Sequence, residues 1–209
     1  MPLSFGDILC EADQPLRHLY FPLDGFISLV FSLGRHRPLE LGLIGNEGML
    51  GATLALGIAT APSRAVVQGS GRALRISARQ LRLALRDCPR LLRALQRYLY
   101  VLLVQLTQNA ACGHFHEVEP RLARWLLMTQ DCARTDQLQL THAYLADMLG
   151  VRRSGVTIAA GALQARGLIH YQRGQITILD RAGLELRACE CYAALREDYA
   201  RLFARPTRA

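Results

Sequence analysis

A single change in sequence pattern near Ser77 divides the chain into two parts that cannot share one kind of secondary structure. Before this point glycine and proline recur every few residues, and the apolar runs between them are short, as at residues 18–21, 26–31 and 39–44. Short apolar runs at this spacing are typical of a β-sandwich or barrel. After Ser77 apolar residues recur every three or four positions, which is the period of an amphipathic helix. The pattern predicts an α+β protein whose β domain covers residues 1–86.

A long helix is expected over residues 87–113. Pro89 suits its first turn, and Gly113 is expected to end it. Apolar residues cover so much of its circumference that more than one side must be buried. One side can pack on the β domain and another on a second copy of the helix, as in a coiled coil; the alternative is a helix buried wholly within one chain. The expected dimer face consists of Leu91, Leu95, Tyr98, Leu102 and Leu106, widened by Leu92, Leu99 and Leu103.

Residues 114–209 begin with a helix expected over residues 117–128 and a polar linker over residues 131–137. Two further helices follow in close succession. Thr141 is suited to cap the first of these, over residues 142–149. Gly150 then supplies the positive φ that a tight turn requires, and the order helix, glycine turn, helix is the helix-turn-helix signature.

The second helix of this motif begins near Arg152 and has two unlike sides. Val156, Ala159 and Leu163 form an apolar back, whereas the opposite side is small, polar and cationic. A helix without bulky flanks can enter the major groove of DNA, which is ~12 Å wide. The alternative is that the arginine pair at its start is an ordinary solvated face.

A β-hairpin is predicted directly after the motif. Residues 168–171 and 175–178 are the strands, and Gln172-Arg173-Gly174 is the turn, which places Arg173 beside DNA phosphate. Because a cap, a glycine turn, an apolar back and a following hairpin occur together, the sequence predicts a DNA-binding domain with a wing.

Composition sets limits on the function. The net charge is +8, and all 25 basic residues are arginine. This charge suits an anionic partner such as DNA, but it also merely maintains solubility. No Walker loop, Gly-x-Ser-x-Gly or His-Glu-x-x-His motif occurs, so no enzyme is predicted. The sequence shows neither a secretory signal nor an apolar run long enough for a bilayer, so a cytoplasmic protein without a membrane partner is expected.

The sequence resembles the Crp/Fnr family (cyclic-AMP receptor and fumarate-nitrate regulator) over nearly its whole length. The resemblance lies in LTHAYLADMLGVRRSGVT at residues 140–157, and in residues 6–7, 18–22 and 25–29 of the β domain. It implies a homodimeric transcription factor with a β-roll (a jelly roll that resembles cyclic nucleotide-binding domains), a long dimerisation helix and a C-terminal winged helix-turn-helix. Two recognition helices would read a near-palindromic double-stranded DNA site, about one turn apart. An activator would also contact RNA polymerase.

Roles for the DNA-facing residues follow from their chemistry. Arg153 is expected to pair with guanine O6 and N7, and Arg152 to share that task or hold phosphate. Ser154 and Thr157 can reach base edges or phosphate, and Thr141 can offer its hydroxyl or backbone N–H to the DNA backbone. Many family members have glutamate where Ser154 stands, so the half-site sequence is not transferable.

The expected effector pocket departs from the family pattern. The corresponding residues are Gly51, Ala52, Thr53, Ser63 and Arg64. Ala52 stands where cyclic nucleotide-binding members have the glutamate that accepts the ribose hydroxyl, and a buried hydroxyl left unpaired costs ~1–3 kcal/mol. An unidentified effector is therefore expected rather than a cyclic nucleotide. A regulatory subunit that binds a ligand and acts on a protein partner without DNA is the alternative function.

No metal and no cofactor are predicted. Four of the six cysteines lie far apart in sequence, and Cys189 and Cys191 have a single-residue spacing unlike common metal motifs. The cysteines are therefore interpreted as structural thiols, and His114 and His116 as solvated or helix-capping groups. Since the family usually has one or two helices before its first strand, additional residues upstream of Met1 are also expected.

Overall fold

The computed structural model describes residues 1–34 and 37–203, so the end of the expected C-terminal domain, residues 204–209, lies outside the described residues. The strands are β1 (Pro2–Leu3), β2 (Ile8–Cys10), β3 (His18–Phe31), β4 (Leu39–Ile44), β5 (Arg64–Ser77), β6 (Gln137–Gln139), β7 (Ile169–Gln172) and β8 (Gln175–Ile178). The helices are α1 (Ala78–Asp87), α2 (Pro89–Phe115), α3 (Val118–Ala133), α4 (His142–Leu149), α5 (Arg153–Ala165), α6 (Arg181–Arg187) and α7 (Cys191–Phe203), and a short 3-10 helix covers Ala52–Leu56.

The N-terminal domain is one antiparallel sheet of five strands. Its order is β1-β5-β3-β4, and β2 also pairs with β5. The two long strands β3 and β5 form its centre, with Leu19 opposite Ile76 and Ile27 opposite Val67. Ile27 and Val67 are fully buried, so the sheet curls around its own apolar interior. The predicted β domain is confirmed, but the apolar runs 18–21 and 26–31 belong to one strand, β3, and not to separate short strands.

The bend in β3 depends on a glycine. Gly25 has φ +73, and a Cβ at this position would lie 2.3 Å from the carbonyl oxygen of Gly69. The register between β3 and β5 shifts between Asp24 and Phe26. Only glycine allows both the left-handed backbone and this close approach, so the bulge that curves the sheet is specified locally.

Helices α1 and α2 connect the domains. The Ser77 hydroxyl accepts a hydrogen bond from Gln80 N, and the Gln80 side chain accepts one from the Ser77 N–H, which is a capping box. Helix α2 begins at Pro89, as predicted, but runs through Gly113 to Phe115. The expected end at Gly113 is wrong, because His116 N–H caps the helix by donating to Cys112 O at 3.1 Å. Among the described residues no helix is long and apolar enough to cross a membrane.

The faces of α2 differ from the expected dimer face. Leu95 and Tyr98 are buried against the β domain and the 3-10 helix, with Leu91 and Leu102 packed beside them. Tyr98 fits because the opposing residue is Gly48, where a Cβ would fall 2.1 Å from the tyrosine oxygen. Leu95 and Tyr98 are therefore not available to a partner. The apolar residues that α2 leaves exposed are Tyr100, Leu103, Leu106 and Phe115.

The C-terminal domain surrounds α3. The α3 helix runs past the predicted end to Ala133, and Gln137 begins strand β6, so the interpretation of residues 131–137 as a linker is wrong. The reason is that Cys132 is buried, which extends the packed face by a turn. Strand β6 pairs with β8, giving a three-stranded sheet in the order β6-β8-β7.

A buried carboxyl group joins the two domains. Glu40 of β4 accepts hydrogen bonds from Ser28 Oγ and Trp125 Nε1, both at 2.6 Å. Burial raises the pKa of Glu40 to about 7 against the lowering effect of these two donors. Since Trp125 belongs to α3, this carboxyl group connects the β domain to the C-terminal domain.

Candidate nucleic-acid interface

The turn between α4 and α5 is fixed by its own sequence. Thr141 caps α4, its hydroxyl accepting a hydrogen bond from Tyr144 N at 3.1 Å. Gly150 has φ 64 and its N–H donates to the last carbonyls of α4. Helix α5 then begins at Arg153, with Arg152 at the N-cap position and no side-chain capping bond there. The predicted helix-turn-helix is confirmed, with the cap and glycine in the expected places.

Helix α5 has the two sides that its sequence predicts. Val156, Ala159 and Leu163 are buried, and they pack α5 onto α3 and α4. The residues on the opposite side are exposed, namely Arg152, Arg153, Ser154 and Thr157. Within the described ranges neither arginine forms an ion pair. Two free guanidinium groups thus lie at the positive end of a helix dipole, which favours an anion.

The Thr157 hydroxyl is already engaged. It donates to the carbonyl oxygen of Arg153 at 3.0 Å and lies 3.0 Å from His142 Nδ1. Because the hydroxyl has one proton, it accepts from an Nδ1–H of the imidazole. Thr157 therefore has less capacity to contact DNA than Ser154, which makes no such bond among the described residues.

His142 is a residue that the sequence analysis missed. Its ring stacks on Tyr171 at a centroid distance of 4.1 Å, so it connects α4, α5 and the wing. Burial, and then the charge of Arg153, lowers the pKa of His142, which favours the neutral imidazole. The available signal was the position of His142 directly after the capping Thr141. A side chain at this position of α4 faces the start of α5.

The wing lies beside the start of α4. Strands β7 and β8 are joined by Arg173 and Gly174, both with positive φ (49 and 82), as a two-residue type I′ turn requires. Leu140 N–H donates to Gly174 O at 2.7 Å. This bond holds the turn next to the start of α4. The predicted hairpin is confirmed, but its turn is shorter than predicted, because Gln172 pairs with Gln175 and belongs to β7.

Ile158 is the second residue that the sequence analysis missed. It is 74% exposed on α5, one position after Thr157. The neighbouring residues Arg153, Ser154 and Thr157 on this side of α5 are polar and exposed as well. A large apolar residue interrupting the polar side of a recognition helix was the available signal.

The expected effector residues lie in and around the 3-10 helix. Gly51 is the N-cap residue of that helix, with φ 93, and lies directly against Leu19, and Ala52 is buried. Ser63 is buried too, whereas Arg64 is exposed and paired with Glu11 at 2.7 Å. Thr53 Oγ1 is buried without a hydrogen-bond partner in the described residues. Gly51, Ala52 and Thr53 are consecutive and lie at the start of the 3-10 helix. Arg64, in contrast, already forms an ion pair with Glu11.

Two family models match the chain. The cyclic nucleotide-binding domain matches residues 2–88, and the Crp-like helix-turn-helix domain matches residues 120–187. The first corresponds to the β domain with α1, and the second begins in α3 and ends with α6. No curated protein sequence matches the chain closely enough to count as a relative.

Solved structures of similar fold cover most of the chain. A CRP-family transcriptional regulator from Thermus thermophilus (TTHB099) has a TM-score of 0.73 at 20% identity, over 90% of this chain and 96% of its own. FixK2 from Bradyrhizobium japonicum has a TM-score of 0.72 at 16% identity, over 90% and 96%. The c-di-GMP-responsive regulator CLP from Xanthomonas campestris has a TM-score of 0.67 at 22% identity, over 85% and 92%.

Proposed function

Because the chain belongs to the Crp/Fnr family of transcriptional regulators, we propose that it binds a near-palindromic DNA site as a homodimer, with α5 of each copy in a major groove. The observation that carries this proposal is the exposed group of Arg152, Arg153 and Ser154 at the start of α5, whose side chains have no ion pair or hydrogen bond within the part of the chain that the structure describes. The apolar back of α5 is buried, so only the front of this helix can face a duplex.

Arg153 pairs with guanine in this proposal. Its guanidinium offers two parallel N–H donors that match guanine O6 and N7, a contact worth ~1–3 kcal/mol of discrimination between bases. Arg152 precedes the helix and Arg173 lies at the tip of the wing, so both are suited to phosphate. Phosphate contacts position the protein without selecting sequence.

Smaller groups complete the reading of the groove. Ser154 is exposed in the first turn of α5 and has a free hydroxyl for a base edge or phosphate. Thr141 retains its hydroxyl proton for phosphate, since it uses the oxygen to accept from Tyr144 N. We assign Ile158 to the methyl group of a thymine, because apolar contact is how proteins recognise that group.

Dimerisation uses the side of α2 that faces away from the β domain. Leu103 is 60% exposed and Leu106 is 38% exposed, and they lie three residues apart on one helical face. Pairing two such helices removes these side chains from water and sets the separation of the two α5 helices. The dimer face is thus Leu103 and Leu106 with half-buried Leu92 and Leu99, which replaces the set that includes Leu95 and Tyr98.

We expect an effector to bind without the residues that hold the ribose and phosphate of a cyclic nucleotide in other family members. Ala52 gives no acceptor for a ribose hydroxyl, and Arg64 is paired with Glu11. A cavity of about 320 Å³ lies between the β domain, α2, α3 and α7, and Glu47, Gln105 and Tyr199 are among its lining residues. A ligand held there would contact both domains, which is what an effector that alters their arrangement requires.

The test is selection of bound genomic DNA fragments by the parent protein, followed by affinity measurements on the selected site. We expect Arg153→Ala to lose ~5–150-fold on that site, the equivalent of one bidentate base contact, and to bind other sequences as before. Arg82→Ala on α1 removes the same charge from an exposed position and is the matched control.

Two results would contradict the proposal. One is a variant Arg153→Ala that binds every fragment as the parent does, which would remove Arg153 from base reading. The other is a parent protein that selects no fragment and shows no salt-dependent binding, which would favour a regulatory subunit acting on a protein partner.

A further inference from the structure

Four side chains from distant parts of the chain converge at the end of α2. Cys112 and His116 lie four residues apart, one turn of helix, so they point from the same face. Cys189 lies in the connection between α6 and α7, and Cys191 is the first residue of α7. One ligand atom from each of the four residues lies within 4.8 Å of all the others.

The distances suit one metal ion. The sulfur atoms of Cys112 and Cys189 are 3.5 Å apart, too far for a disulfide of about 2.05 Å. Cys191 Sγ is 3.8 Å from His116 Nδ1. Tetrahedral zinc, with bonds of about 2.3 Å to sulfur and about 2.0 Å to nitrogen, places its ligand atoms roughly 3.5–3.8 Å apart. An iron–sulfur cluster separates its ligands further, because different thiolates bind different iron atoms.

The imidazole is oriented as a ligand would be. His116 Nδ1 faces Cys191, and its Nε2 lies 3.0 Å from the carboxylate of Glu190. This carboxylate fixes the proton on Nε2 and leaves the lone pair of Nδ1 directed at the sulfur atoms. Metal-binding histidines commonly have such a carboxylate partner, whereas buried structural thiols have no need of one.

The surroundings suit a closed site. Cys112 is 0% exposed, and Cys189 and Cys191 are 6% and 8% exposed, as in structural zinc sites without an open coordination position. Arg121 and Arg124 place positive charge close to the sulfur atoms. Three thiolates around a divalent ion leave one negative charge, which these guanidinium groups offset.

We propose that Cys112, His116, Cys189 and Cys191 bind one zinc ion that fastens the end of α2 to the C-terminal helices. Binding releases three thiol protons to solvent and needs no redox step. Cys189 N–H also donates to Pro120 O of α3 at 3.4 Å, so the connection α6–α7 would be held to α2 by the ion and to α3 by this hydrogen bond. This assignment replaces the expectation of structural thiols without a metal.

The experiment uses the full chain, isolated under reducing conditions without chelator. Elemental analysis is expected to find one zinc per chain. Cobalt added to the metal-free protein is expected to give the visible absorption of a tetrahedral site, together with sulfur-to-cobalt charge-transfer bands. Zinc should be lost in Cys189→Ser and His116→Ala, and kept in Cys88→Ser and His114→Ala, which alter exposed residues.

The cobalt spectrum of the parent decides the matter even where a variant does not fold. No zinc together with no tetrahedral cobalt spectrum would overturn the proposal. So would a Cys112–Cys189 disulfide in protein isolated without oxygen, or iron with inorganic sulfide in place of zinc. Equal loss of zinc in the paired controls would remove these four residues as its ligands.

Discussion

The exposed front of α5, which we propose faces DNA, and the expected effector region of the β domain use their polar groups in opposite ways. On α5, Arg152 and Arg153 are exposed and free of ion pairs in the described residues. In the β domain Arg64 is paired with Glu11, and Ala52 of the 3-10 helix is buried. A groove-reading helix needs only to present groups to a partner, whereas a sensor must hold space for its ligand. The front of α5 presents its groups without any change in the chain, whereas the effector region depends on a ligand that has yet to be identified.

The largest expected effect comes from separating the two copies of α5. Leu103→Arg puts a charge on the exposed face of α2, where a partner helix would bury it without a counter-ion. We expect a monomer in sedimentation and a loss of affinity for the full site of roughly 10²–10⁴-fold, since the second half-site is no longer linked to the first. Leu83→Arg, on the exposed side of α1, is the control. A dimer that survives Leu103→Arg would exclude this face.

The buried contact between Glu40 of the β domain and Trp125 of α3 predicts that stability depends on pH. Burial raises the pKa of Glu40 to about 7, so between its unfolded value near 4.5 and pH 7 the folded protein holds a proton that the unfolded chain releases. The free energy of unfolding therefore falls as the pH rises through this range, by up to roughly 3 kcal/mol from this group. Urea unfolding should show a weaker fall of the free energy of unfolding with pH in Glu40→Gln. Glu47, whose pKa burial also raises, contributes to the fall that remains. An unchanged slope would show that Glu40 is not the titrating contact.

Removing the carboxylate behind His116 tests the proposed zinc site directly. Glu190→Gln keeps the size of the side chain and removes its charge. Loss of such a partner typically weakens metal binding 10–100-fold, and competition with a chelator measures it. Glu197→Gln, on an exposed part of α7, should bind zinc as the parent does. Equal zinc affinity in both variants would contradict the role of Glu190.

The smallest expected effects compare two arginines directly. Arg173→Ala should weaken binding to all DNA sequences alike and lower the slope of log affinity against log salt by about 0.9, the value for one phosphate contact. Arg64→Ala removes an exposed ion pair worth ~1 kcal/mol or less and should leave DNA affinity unchanged. A change of base preference in Arg173→Ala, or weaker DNA binding in Arg64→Ala, would show that the two arginines do not differ in this way.

Short-range sequence signals predicted the parts of the molecule that short-range forces build. The cap at Thr141, the turn at Gly150 and the buried back of α5 each depend on residues within a few positions. They hold because a hydroxyl reaches an N–H three residues on, and because only glycine accepts the turn without strain.

Long-range contacts explain what the sequence did not predict. The outward face of α2 depends on Gly48 making room for Tyr98, 50 residues away in the numbering. The cluster of Cys112 and Cys189 joins residues separated by 77 positions. Residues so far apart in sequence produce neither a periodic pattern nor a local motif from which the contact could be predicted. His142 and Ile158 were missed for another reason: their roles depend on the exposed surface that the packed helices leave.

The proposed recognition of DNA rests on Arg153 reading the edge of a guanine, and removing the N7 acceptor of that guanine tests this most directly. Parent protein and Arg153→Ala are each titrated with the selected site and with the same site carrying 7-deazaguanine at the contacted position. We predict that the substitution weakens the parent about tenfold, the value of a lost hydrogen bond of ~1.4 kcal/mol, and that it leaves Arg153→Ala unchanged. Equal losses in both proteins would contradict the claim, because the guanine would then be read by another group.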